Sequence, residues 1–162
     1  MAALTLKRAP DYDKCPVSFV KGQIRRGSLD EWNRRYRSGV TAGTTKVFFP
    51  DAIEGYHIVR KIPLDSIITQ MLTGHGGFSE YLVKFKCKED PSCACAPGVD
   101  ESALHILLDC PIFGRARYDS EQEIGQKITK NTVQEIMRNN KKRTKFLEYT
   151  RKIAEVVIKK NK

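Results

Sequence analysis

Residues Pro91–Cys110 constrain this chain more than any other stretch. They read Pro-Ser-Cys-Ala-Cys-Ala-Pro-Gly-Val-Asp-Glu-Ser-Ala-Leu-His-Ile-Leu-Leu-Asp-Cys. Cys93 and Cys95 stand one residue apart, His105 follows ten positions later, and Cys110 closes the stretch. Three soft sulfurs and an imidazole are the donors that a tetrahedral Zn²⁺ takes, and four protein ligands leave no position open for water. The spacing predicts one closed, structural zinc site held by Cys93, Cys95, His105 and Cys110. A second reading uses the same residues: His105 packed in a core among Leu104, Leu107 and Leu108, with the cysteines as small buried hydrophobes. Cys87 is a rival ligand, set aside because the Cys93/Cys95 pair needs less loop rearrangement.

A site of this kind needs a body around it. The chain has 162 residues, enough for one domain or two small ones, and 40% of them are hydrophobic. The expected fold class is mostly α, a small helical domain with a CCHC zinc-stapled loop and little or no sheet. Residues 1–9 read as the tail of a helix, and Pro10–Pro16, which contains Cys15, as a linker. Helix is expected over Val17–Tyr36, with its phase disturbed at Gly27 and a capping-box pattern at Ser28–Glu31 that would start a second helix at Leu29. Lys46–Pro50 reads as extended, because Phe49 precedes a proline. Further helices are expected at Asp51–Arg60, Ile62–Thr73, Phe78–Phe85 and in the segment carrying His105. Asp100 or Ser102 would cap the last of these, and Gly74 would close the Ile62–Thr73 helix. Residues 139–143 read as a basic connector, and Thr144–Lys160 as the clearest amphipathic helix. The division is a tail and linker over 1–16, a helical body over 17–118 that includes the knuckle at 91–111, and a basic helical segment over 119–162.

Charge separates these parts. The net charge is +10 and the pI about 9.5, which points to a polyanionic partner. Residues 1–50 carry ten Lys and Arg against four Asp and Glu, residues 51–110 carry five against nine, and residues 111–162 carry fourteen against six. The knuckle is therefore acidic between two basic flanks. Phosphate contacts are expected from Arg25, Arg26, Arg34, Arg35 and Arg37 on one flank and from Lys141, Lys142, Arg143 and Lys145 on the other. Trp32 and Tyr36 are assigned to the core, the alternative being that they stack on bases. No apolar run approaches the roughly 20 residues that span a membrane. The odd number of cysteines, without a secretory leader, reads as reduced thiols in an intracellular protein of the nucleus or cytoplasm.

Leu72-Thr-Gly-His-Gly-Gly-Phe-Ser-Glu-Tyr-Leu82, then Pro91-Ser-Cys-Ala-Cys95 and His105-Ile-Leu-Leu-Asp-Cys-Pro111, resemble the C-terminal region of the Pol protein of insect non-LTR retrotransposons. Pro16-Val-Ser, Glu31–Tyr36 and Phe48-Phe-Pro50 are similar to it as well. The resemblance implies a zinc knuckle ligated by the same four residues, within a nucleic-acid-binding accessory module of a reverse transcriptase. It implies RNA or target DNA and the upstream polymerase domains as partners, with no membrane and no small-molecule substrate. The chain has no Tyr-x-Asp-Asp motif and no endonuclease-like set of acids and histidines, so it is expected not to be an enzyme. The competing expectation is a helical protein–protein scaffold, a domesticated remnant that docks on the polymerase or on a host protein.

Overall fold

A computed structural model describes residues 16–162; the expected helix tail over 1–9 and the linker with Cys15 lie outside the described residues. The described residues are mostly helical and contain no strand, only an isolated antiparallel bridge between Ser92 and Asp100.

The body is built on α8, Asn140–Lys160, about 30 Å long. Phe146, Tyr149, Thr150, Ile153, Ala154, Val157 and Ile158 recur at helical spacing and are buried along it. Around this stripe pack α4 (Ser66–Thr73), α6 (Gly114–Ile124), α7 (Val133–Arg138) and the π-helical turn His105–Asp109. Helix α2 (Gly43–Phe48) packs on α4 and α7, and contributes the buried Phe48. Phe48, Ile68, Met71, Phe78, Ile106, Leu107, Ile136, Met137 and Phe146 form the centre of one apolar core, which also contains Cys93 and Cys110.

Local chemistry sets the element ends. Asp51 caps α3 (Ala52–Val59) by accepting from the Glu54 N–H, and Asp65 caps α4 by accepting from the Ile68 N–H. Gly74 ends α4 in the left-handed region at φ 73°, and α5 (Ser79–Lys84) follows the turn. The Gly74–Gly77 turn is small because α8 runs past it. A Cβ on Gly77 would stand 3.1 Å from the Ile158 Cα.

Four expectations about elements change. Lys46–Pro50 is not extended: α2 reaches Phe48, and only Phe49, the residue that Pro50 restricts, leaves the helical conformation. The capping pattern at Ser28 starts no second helix, because α1 runs unbroken over Val17–Ser38. The expected Ile62–Thr73 helix starts only at Ser66, behind Pro63 and the Asp65 cap. Residues 139–143 are not a connector: the Asn139 side chain accepts from the Lys142 N–H, and the segment forms the first turn of α8.

Candidate metal centre

A tight loop and a widened helical turn build the centre. The Cys93 N–H donates to the Val99 carbonyl at 2.6 Å and the Glu101 N–H to the Pro91 carbonyl at 2.8 Å, so the chain returns on itself with Gly98 at φ 74°. Ser102, one of the two expected caps, accepts from the His105 N–H at 3.0 Å. The helix then loosens into the π turn, where the Cys110 N–H donates to the His105 carbonyl at 2.8 Å. In an α-helix, residues five apart point about 140° from one another. An i→i+5 turn is wider by one residue, and brings His105 and Cys110 back to one side. Pro111 then opens a 3₁₀ turn, Pro111–Phe113.

The result gathers Cys93, Cys95, His105 and Cys110 so that their ligand atoms all lie within 4.8 Å of one another. The Cys93 and Cys110 sulfurs are 3.8 Å apart, and Cys95 Sγ is 3.2 Å from His105 Nε2. A tetrahedral ion with metal–sulfur bonds of about 2.3 Å has sulfur–sulfur edges of about 3.8 Å. The cluster therefore has the donors and the size to hold one metal ion. Cys93 and Cys110 are buried; Cys95 and His105 are half-buried. Burial pushes the Cys95 thiol up to about 11, helped by the crowding thiols of Cys93 and Cys110. Burial also pushes the Cys110 thiol up, against the Ile112 N–H that is hydrogen-bonded to it. Cys87, the rival ligand, is exposed, and its sulfur faces the Phe85 carbonyl instead.

One residue behind the loop escaped the sequence reading. Glu101 is 1% exposed. Its carboxylate accepts from Ser79 Oγ at 2.6 Å, Lys160 Nζ at 2.7 Å and Asn161 Nδ2 at 2.5 Å. Burial opposes its ionisation, but the bonds from Lys160, Ser79 and Asn161 prevail and hold its carboxyl below the ordinary glutamate value. The end of α8 is thereby tied to the metal loop. No spacing rule finds this, since Lys160 lies 59 positions away.

The expected phosphate contacts divide. Arg25, Arg26, Arg34, Arg35 and Arg37 are exposed on α1. Arg34 and Arg35 pair with Glu31, and Arg37 lies 3.9 Å from Asp51. Lys141 is exposed; Lys142 donates to Gln126 at 2.6 Å, and Lys145 lies between Glu123 and Glu148. Arg143 is a correction. It is 5% exposed and donates to the Met137 carbonyl at 2.7 Å and to Asn140 Oδ1, so its guanidinium closes the end of α7 instead of standing at the surface. Trp32 is a correction in the other direction: it is 47% exposed, not core. Tyr36 is half-buried and donates to the Phe49 carbonyl at 2.6 Å.

Over 87 residues, 53% of the chain, the sequence is 32% identical to the Retrovirus-related Pol polyprotein from type-1 retrotransposable element R1 4 of Nasonia vitripennis. The chain is thus related to a retrotransposon Pol polyprotein. The matched part spans 22% of that protein's length. No protein-family model and no solved structure matches the chain. No helix among the described residues is long and apolar enough to cross a membrane.

Proposed function

We propose that the chain is a nucleic-acid-binding accessory module of a retrotransposon Pol-type protein, stapled by one structural Zn²⁺. The observation that carries this reading is the four-donor cluster, in a chain related to a retrotransposon Pol polyprotein. Cys93, Cys95, His105 and Cys110 would hold the ion. When bound, it supplies folding energy and no open position for chemistry. The protein's own residues do the rest: the π turn aligns His105 with Cys110, and Glu101, Lys160 and Asn161 pin the loop to α8. The exposed arginines of α1 and Lys141 supply phosphate contacts, and the partner is RNA or target DNA. The module itself is not catalytic and works in the nucleus or cytoplasm.

Metal content and salt-dependent RNA affinity test this together. One zinc per chain is expected in the wild type, and Cys95→Ser should lose both metal and fold. Arg25→Glu/Arg26→Glu should stay folded, bind RNA more weakly and show a shallower salt dependence. A metal-free wild type that folds stably would overturn the zinc assignment. A specific observation supports a second reading, a protein-docking scaffold: Val17, Val20 and Ile24 lie exposed along α1. Salt-insensitive binding to a protein, with negligible RNA affinity, would favour it.

A further inference from the structure

Helix α1 buries no residue, and its partner is α3. One edge of it is organised. Lys21, Arg25, Ser28, Trp32 and Tyr36 follow at spacings of four, three, four and four, which places them on one face over about 22 Å. Lys21, Arg25 and Ser28 are exposed, and Trp32 is 47% exposed. No acidic residue lies between Val17 and Leu29.

This face continues beyond the helix. Lys46 of α2 reaches back over the Tyr36 ring, with Nζ 5.3 Å from its centroid, and donates to the Gly39 carbonyl at the end of α1. Lys46 also lines a groove of about 330 Å³ whose far wall is Lys130, Asn131 and Gln134. Two lysines from chain segments more than 80 residues apart thus line one groove, and Lys46 links it to the Tyr36 end of the α1 face.

We infer that this edge and groove form a track for single-stranded nucleic acid, with Lys21, Arg25, Lys46 and Lys130 on the phosphates and Trp32 as a base-stacking platform. The inference rests on the nucleic-acid reading above and deepens it by naming strandedness and path. A flat, half-exposed aromatic takes the face of any unpaired base, whereas paired bases in a duplex are stacked on one another and cannot reach it. Cations at intervals along one line suit a flexible backbone. The groove comes from α2, the loop before α7 and the first turn of α7, so only the folded chain completes the track.

Trp32 is the chain's only tryptophan, so its fluorescence reports this position alone. The full chain, zinc-loaded, is titrated with fluorescein-labelled oligouridine of about 12 nucleotides, a length within the usual single-strand site sizes. Anisotropy reads binding and indole emission reads stacking, with a duplex of equal length as comparison. Quenching that tracks binding, with Trp32→Ala weakening affinity about tenfold and Trp32→Phe restoring most of it, is the expected result. Lys46→Ala/Lys130→Ala should lower the slope of log affinity against log salt by about 1.4. Circular dichroism checks that each variant keeps its helix content. Binding without quenching, and with a neutral Trp32→Ala, overturns the track and leaves the nucleic-acid reading standing. Equal affinity for the duplex overturns the single-strand assignment. No anisotropy change with any probe overturns both.

Discussion

Glu101 shows how much a single buried residue decides. A carboxylate taken out of water is tolerated only when charge and hydrogen bonds replace the solvent. Here Lys160, Asn161 and Ser79 do so, and Lys88 completes the cluster through Ser79 Oγ at 2.7 Å. Glu101→Ala leaves these donors facing a void and is expected to cost on the order of 3 kcal/mol, read by urea denaturation. Glu101→Gln keeps the shape and loses the charge. Because the folded carboxyl sits below its unfolded value, its stabilisation is fully present above about pH 4.3 and is lost as pH falls through the lower folded value. The wild type should therefore lose stability more steeply than Glu101→Gln below about pH 4, in acid titrations followed by circular dichroism. Asp51 and Asp65, held low first by the Glu54 and Ile68 N–H groups, contribute to the acid limb in both proteins.

At the scale of elements, α8 organises the body, and its ends are where substitutions separate causes. Asn139→Ala removes the side chain that receives the Lys142 N–H and is expected to cost about 1 kcal/mol. Gly77→Ala should cost about 1–3 kcal/mol, because the added carbon meets α8 backbone, which cannot rotate aside like a side chain. Thermal melts of the two variants check both values. The π turn has a comparable role at the metal centre. It exchanges regular hydrogen bonding for a geometry in which two ligands five residues apart share one face.

Across the whole molecule, the acidic middle serves the fold. Asp51, Glu54, Asp65 and Glu101 meet Arg37, Arg138, Arg151 and Lys160 from the two basic flanks. The exposed pairs among these are worth about 0–1 kcal/mol each and orient the flanks more than they hold them. Stability comes from the apolar core and, in the proposed reading, from the metal. Chelation should lower the melting temperature and raise amide exchange first in residues 91–113, where two core cysteines would lose their metal ion. Equal exchange in chelated and zinc-loaded protein would contradict that role.

Much of this was legible from the chain alone. Amphipathic spacing located α8, Gly74 marked the end of α4, and the order of Cys93, Cys95, His105 and Cys110 named the cluster. These are local signals, written within a few turns of chain. The fate of Arg143, Trp32 and Glu101 was not local. Arg143 looks like any basic surface residue until α7 brings the Met137 carbonyl beneath it. Trp32 looks like core until α1 is seen to bury nothing. Glu101 looks solvated until Lys160 arrives from 59 residues away. The sequence by itself determined which residues can ligate, cap or bury, because those capacities belong to side chains. Only the tertiary structure decided which basic and aromatic groups remain at the surface, because desolvation depends on what packs against them.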